Sequence, residues 1–447
     1  MAAPVTDATD TTANGPLDHI YELIVEEEDA RVCKDISDDA CRYVPFNFFA
    51  VIVANSLTKL GDELANPKTV LAWLLNFVGA PVYLIGMLVP IRESGSMLPQ
   101  LVIAAVIRQM AVRKWVWVLG SVLQCAAVVG MGAAAWMLSG AAAGWTIIGL
   151  VVVFSLSRGL CSVAYKDVLG KTIPKTRRGR LSGVAASVSG VIALGAGLFF
   201  LFIENGSPSP AFFGALIAGA GLLWLLGAAT FATLREFRGE TEGGGNSLAE
   251  AFRSLRLFRD DPDFTRFVVV RALMLCSALT APYYVVLGTG GKEPDLATLG
   301  MFILANGLAS TVSGPFWGRL ADRSSRRVMM AGAAIAAGLG ILAFCAATFA
   351  PSLKETAWLF AIAFFVLGIA HSGVRLGRKT YIVDLAGGNK RTDYVAVSNT
   401  AIGAILLASG GVGFLAGAIS PAGVILVFSL LGLLGVALAM KLPEAED

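Results

Sequence analysis

From residue 318 the chain reads Gly318-Arg319-Leu320-Ala321-Asp322-Arg323-Ser324-Ser325-Arg326-Arg327. Four arginines and one aspartate crowd this short segment, and an apolar run lies on each side of it, 296–317 and 327–349. About 20 apolar residues in helical form cross the hydrocarbon core of a bilayer. Two such runs joined by so short and so basic a connection read as two membrane spans that meet on one face.

Working outward, turn and charge signals delimit further runs of the same kind, giving twelve in all: 46–75, 81–106, 115–138, 145–168, 180–203, 211–234, 265–288, 296–317, 327–349, 356–377, 393–416 and 420–440. The composition agrees. The 447 residues are 56% hydrophobic and only 15% charged, and the mean hydropathy is +0.71. A soluble chain is nearer a quarter charged, so disordered, collagen-like and nucleic-acid-binding classes are excluded and a cytosolic enzyme is disfavoured. The expected class is an all-α integral membrane protein.

The basic residues orient the spans, because cytoplasmic loops collect Lys and Arg. Arg108, Arg113 and Lys114, Lys166 to Arg180, Arg235 to Arg266, Arg319 to Arg327 and Arg375 to Arg391 fall on the side shared by the N-terminus, whereas the opposite loops hold only Lys292 and Lys354. Both termini are therefore expected to be cytoplasmic, in a multi-pass protein of the plasma membrane (the inner membrane of a bacterium). No secretory signal pattern opens the chain. Residues 1–45 form an acidic tail with eleven Asp and Glu against three bases. Cys33 and Cys41 in that tail are expected to stay reduced, and their spacing matches no strong zinc pattern. No metal or cofactor is expected.

The chain divides as tail 1–45, six spans 46–234, linker 235–263, six spans 264–441 and a short end 442–447. In the linker, Ser247-Leu248-Ala249-Glu250 has the form of a capping box opening a short amphipathic helix. The two six-span halves show a weak repeat at a shift of about 212: Lys59 falls on Arg271, Arg113-Lys114 near Arg326-Arg327, and Lys166–Arg180 near Arg378–Thr392. Membrane transporters are often built from such internal repeats.

On these residues the chain resembles the major facilitator superfamily. Gly318, Asp322, Arg323, Arg326 and Arg327 match its G-x-x-x-D-R-x-G-R-R loop after the eighth helix, with Ser325 in place of the second glycine. Only Arg113 and Lys114 survive of the equivalent loop after the second helix. Leu60-Gly61 followed by Pro67 resembles the first-helix motif L-G-x5-P-V-x-P, broken at Lys68 and Val70. Arg158 resembles the arginine of R-x-x-Q-G, with Cys161 and Ser162 replacing its Gln and Gly. The helix-5 proline signature of drug/proton antiporters is absent. The resemblance implies twelve transmembrane helices in two pseudo-symmetric six-helix bundles, a central cavity lined by helices 1, 4, 7 and 10, and a cytoplasmic gating loop at Gly318–Arg327.

Charged groups at membrane depth are costly and by default mark function. Lys59, Asp62 and Glu63 lie within one turn of the first run, where spacings of three and four share a face. Arg92 and Glu93 lie in the second, Arg158 in the fourth, Arg271 in the seventh and His371 in the tenth. The expectation is a substrate and coupling-ion site built from these eight residues, with Asp62 or Glu63 titrating and Arg158 and Arg271 holding an anionic group. Against it stands a plainer reading, in which Lys59 and Glu63 neutralise each other, Arg158 snorkels and His371 only packs.

No H-E-x-x-H, G-x-S-x-G or P-loop is present, so an enzyme is not expected. The expected function is transport of a small organic solute, anionic or zwitterionic because bases outnumber acids in the set, by alternating access and coupled to protons, in a monomer whose partners are solute, protons and lipid. Two rivals stay open: export of amphipathic or toxic compounds, and a transporter-like sensor or accessory protein that moves nothing.

Overall fold

In a computed structural model the described residues are 38–202, 209–238, 256–289, 296–321, 323–350, 356–385 and 391–444. Among them the architecture is helical throughout, and the helices form twelve rods that run back and forth. In the first half these are α1 (Val44–Leu64, then Val70–Phe77), α2 (Val82–Met97, then Gln100–Arg108), α3 (Lys114–Met137), α4 (Gly140–Thr172), α5 (Lys175–Phe202) and α6 (Pro210–Ala232). The second half comprises α7 (Pro262–Leu273, Cys276–Leu279 and Ala281–Gly288), α8 (Leu296–Ala321), α9 (Ser325–Phe349), α10 (Ala357–Leu385), α11 (Arg391–Ser409, closing in the 3-10 turn Gly410–Phe414) and α12 (Leu415–Ala439). Among the described residues, ten helices are long and apolar enough to cross a membrane. The rods outside that set are α2, which is divided at Pro99 and carries Arg92 and Glu93, and α5, whose first turns are basic.

Several boundaries follow from local chemistry. Asp261 caps α7 by accepting from the backbone N–H groups of Asp263 and Phe264 at 3.0 and 2.9 Å, with Pro262 in the first turn. Ser209 caps α6 ahead of Pro210, and Ser324 caps α9 through the N–H of Arg327. Such oxygens satisfy donors that a helix start leaves free. α1 breaks at residues 65–69 because Pro67 has no N–H and disfavours helical backbone at Asn66. The Asn66 side chain then accepts from the Lys68 N–H at 2.9 Å and fixes the turn. In α12, Ser420 has φ 72° ahead of Pro421, and its hydroxyl accepts from Gly423 N–H, so the straight part starts where the apolar run was expected to start.

The repeat is visible in the breaks as well as the starts. α1 and α7, 212 positions apart at Lys59 and Arg271, are both interrupted near mid-length, while their counterparts α4 and α10 are continuous. Within the first half α3 packs on α6 and α4, and within the second α9 packs on α10 and α12. Across the halves, α2 meets α11, α5 meets α8, and the second piece of α1 meets the last piece of α7.

The expected linker helix at 247–255, the acidic tail up to residue 37 and Asp322 lie outside the described residues. Cys41 is disulfide-bonded rather than reduced, which corrects the expectation for the tail thiols. Arg375, Arg378 and Lys379 also need correcting: they were assigned to a loop, but α10 continues to Leu385 and carries all three. An apolar run marks where side chains meet lipid, whereas a helix continues as long as its backbone bonds do.

Candidate functional site: a charged cavity between the two halves

The loops after α2, α4, α6, α8 and α10 share one side, called here the basic side. At the opposite end the halves touch. Tyr83 of α2 stacks on Phe414 with ring centroids 5.0 Å apart. Gly86 and Gly413 let the two backbones approach so closely that a Cβ on Gly86 would lie 2.5 Å from the Gly413 Cα. Asn76 also donates to Thr289 Oγ1 at 3.4 Å, from the second piece of α1 to the end of α7.

Toward the basic side the halves part around two connected cavities of about 620 and 220 Å³, and a third of about 200 Å³ adjoins them between α8 and α10. They meet at Ser310 and Arg375. The largest takes its walls from α1, α8 and α10 and from the basic-side ends of α3, α4 and α5, and Lys59, Lys166 and Arg375 on those walls are exposed. This lobe is therefore the mouth, and the 220 Å³ lobe lies deeper.

The adjacent carboxylates of α1 part company. Residues one apart on a helix point about 100° apart, and here that rotation sends them to different halves. Asp62 is held by α4: Arg158 reaches its two carboxylate oxygens at 3.1 and 2.7 Å. Arg92 of α2 approaches the same carboxylate at 3.5 Å and lies over the Phe154 ring at 4.8 Å. Glu63 instead faces the second half, where Asn306 of α8 donates to it at 2.8 Å, supplemented by Asn66 at 3.4 Å. Among the described residues no cation lies within ion-pair distance of Glu63, so the Lys59–Glu63 neutralisation of the plainer reading is not formed; Lys59 stands on the wall of the largest lobe.

Glu93 and His371 line the 220 Å³ lobe, and the His371 Nδ1 is 3.1 Å from the Ser277 hydroxyl of α7. Arg271 does not join them. Its guanidinium donates to Ser398 Oγ at 2.6 Å and Asn399 Oδ1 at 2.8 Å on α11, and it is buried inside the second half. The expected convergence of Arg271 with Arg158 is thus corrected: α7 is interrupted just beyond Arg271, and the polar residues of α11 offer that guanidinium a partner closer than the cavity. Sequence reasoning also passed over contributors to the lining. Asn306 is neutral and carries no cost signal, Lys68 was noted only as a break in a motif, and Arg375 was assigned to a loop; all three line the 220 Å³ lobe.

The basic-side loops are fastened within each half. After α6, the Glu236 side chain is fully buried, accepts from the N–H groups of Arg113 and Lys114 at the start of α3, and pairs with Lys171 at 3.1 Å. Lys114 Nζ in turn donates to the carbonyls of Ala232 and Leu234. After α12, Glu444 pairs with Arg326 and Arg327 and accepts from Ser324, while Arg326 donates to the carbonyls of Met440 and Leu442. Glu236 and Glu444, Ala232 and Met440, and Leu234 and Leu442 are each 208 positions apart. Of the expected gating loop, Gly318 lies in the last turn of α8 where a Cβ would meet open space, Arg323 is exposed, and Arg326 and Arg327 bind inside their own half.

Residues 291–447 match the family model of the Major Facilitator Superfamily. An uncharacterized protein of Mycobacterium tuberculosis is 22% identical over 284 residues, 61% of this chain and 54% of that protein, so the chain spans about half the length of the curated relatives it matches. Among solved structures, the inward open conformation of the xylose transporter XylE from E. coli aligns with TM-score 0.64 at 14% identity, over 91% of this chain and 98% of that one. The nucleoside transporter NupG aligns with TM-score 0.69 at 10% identity, over 88% and 99%. Twelve helices in two repeated halves around a shared cavity are the fold common to these structures, and the second half of the chain from residue 291 is similar to the Major Facilitator Superfamily by its family model.

Proposed function

We propose that the protein is a proton-coupled secondary transporter of a small organic solute, anionic or zwitterionic, that works by alternating access in the plasma membrane with both termini in the cytoplasm. The observation that carries this reading is the cavity itself: both halves line it, it is closed at one end by packed helices, and it holds carboxylates that face opposite halves. A site at the interface of two repeats, alternately exposed as they rock, is how this class of carrier works. The basic side is read as cytoplasmic from its Lys and Arg. The likeness to an inward open transporter supports the same reading, since the cavity opens on that side.

In this reading Asp62 is the fixed anion, kept in place by Arg158 and Arg92. Glu63 is the proton carrier, because its hydrogen bonds come from amides, which serve a carboxylate and a carboxylic acid alike. The Glu63–Asn306 bond joins the halves, so protonation there acts directly on the contact that rocking must remake. Lys59, Glu93 and His371 line the solute path.

The test is flux into proteoliposomes under an imposed pH gradient, with panels of organic acids, amino acids and sugars. Gradient-driven uptake that is lost in Glu63→Gln is the expected result. Absence of flux for every panel member, with Asp62→Asn and Glu63→Gln indistinguishable from the parent, removes the coupled-transport reading.

A further inference from the structure

The cavity charges are unequal, and the inequality bears on what the cavity accepts. Once Asp62 is set against Arg158 and Arg92, the carboxylates left on the three lobes are Glu63 and Glu93. Facing them are Lys59, Lys68, Lys166, Arg375 and Lys379. None of these five cations lies within ion-pair distance of a carboxylate among the described residues. Elsewhere on the basic side the chain does pair its cations: Arg113 with Asp167, Lys171 with Glu236, Arg326 with Glu444. Charges between membrane helices that lack a partner mark a site that waits for one.

Three of these cations stand on walls of the mouth from both halves, Lys59 of α1 and Lys166 of α4 from the first and Arg375 of α10 from the second, and Lys379 of α10 lines the 200 Å³ lobe that adjoins the mouth at Arg375. The hydroxyls of Ser310 and Ser372 line the adjoining 200 Å³ lobe and supply neutral donors, whereas Ser313 already donates to the Ala309 carbonyl.

We propose that this mouth is an anion subsite, and that the transported solute carries two or more negative charges whose anionic groups are held between Lys59 and Lys166 on one half and Arg375 and Lys379 on the other. The inference rests on the transport reading and narrows its substrate class. A zwitterion brings a cation of its own and leaves the excess positive charge as it was; a neutral sugar does the same. An oligoanion offsets that charge, whether its groups are carboxylates or phosphate.

The placement also has a mechanical result. Closing the basic side draws the two walls together, and like charges repel more steeply as their separation falls. An anion between the walls turns that repulsion into attraction, so the loaded carrier closes more readily than the empty one.

The test uses the full chain purified into phosphatidylcholine nanodiscs, with binding measured at constant ionic strength for acetate, succinate, citrate, inorganic phosphate, glycine and xylose. Stabilisation that rises from acetate to succinate to citrate, with none from glycine or xylose, is expected. Lys59→Gln and Arg375→Gln, one from each wall, should each weaken citrate binding by about tenfold or more, the usual scale for losing one charge-assisted contact. Arg238→Gln, an exposed cation outside the cavity, should leave it unchanged. A response independent of anion charge, or citrate affinity unaltered in both wall variants, overturns the proposal. Proteoliposome flux separates its failure from failure of the transport reading. Proton-driven uptake of a neutral or zwitterionic solute that survives Lys59→Gln and Arg375→Gln removes the anion subsite and leaves transport standing. Charge-dependent anion binding without any flux removes transport and leaves the subsite.

Discussion

Glu63 on α1 accepts a 2.8 Å hydrogen bond from Asn306 on α8, so a titratable group of one half is bonded directly to the other half beside the cavity. Glu63→Gln keeps an oxygen that can accept this bond and removes the proton site. We expect it to abolish pH-gradient-driven uptake in proteoliposomes while leaving solute exchange at equal pH measurable. Asn306→Ala should weaken both modes, since it removes the contact and keeps the charge; equal loss of both modes in Glu63→Gln would count against a proton role.

Asp62 has a different part. Its pairing with Arg158 is bidentate and mostly shielded from solvent, with the two side chains 15% and 25% exposed. Removing one partner of a buried pair strands the other and costs about 3 kcal/mol. Asp62→Asn should therefore lower the thermal midpoint in detergent. Adding Arg158→Gln to it should cost less than the two single changes together, the mark of direct coupling. Strict additivity in that double-mutant cycle would argue that the pair contributes little.

At the closed end, Gly86 faces Gly413 with no room for a side chain. Gly86→Val should force α2 from α11 and bias the molecule away from the state described here. With Cys substituted for Tyr83 as reporter, labelling by a bulky maleimide should rise about tenfold, corresponding to about 1.4 kcal/mol against the closed end. Unchanged labelling would mean that the helices absorb the added volume.

The two basic-side fastenings should respond differently. Glu236 is fully buried with three donors, so Glu236→Gln should cost about 2–3 kcal/mol and lower the thermal midpoint at neutral pH. Glu444 is more open. Burial pushes its carboxyl up, but the Ser324 hydroxyl and the charges of Arg326 and Arg327 outweigh that and hold it below its ordinary value of 4.5. A carboxylate lowered in the folded state stabilises at all pH above its ordinary range, and that contribution is lost as pH falls through the lowered value. Thermal midpoints between pH 7 and 3 should therefore drop more steeply for the parent than for Glu444→Gln, with the curves converging at the acid end. Parallel curves would mean that Glu444 does not contribute.

Sequence alone carried the architecture, because span length, the basic-loop bias and the repeat at about 212 are each set by the bilayer or by duplication and survive errors of several residues. The site was less legible, since a single residue along a helix turns a side chain by about 100°. That rotation separates Asp62 from Glu63. The interruption of α7 leaves Arg271 with Ser398 and Asn399. Arg378 and Lys379 looked like loop residues because the apolar run, read as 356–377, ended before the helix did. Asn306 had no signal at all: a neutral amide at membrane depth looks ordinary until its partner across the interface is known.

The fastenings at Glu236 and Glu444 have one more implication. Each half ties the end of its sixth helix back to the start of its third, through a carboxylate and two carbonyls that recur 208 positions apart. Each half is thus a closed loop of helices that owes its closure to nothing in the other. A chain severed between Arg238 and Arg256 and produced as two co-expressed fragments should reassemble into a working carrier, with the halves meeting chiefly through α1, α2 and α5 against α7, α8, α11 and α12. Covalent continuity across the linker would then serve to keep the two partners in equal number, and the rocking joint would belong to the helix faces alone.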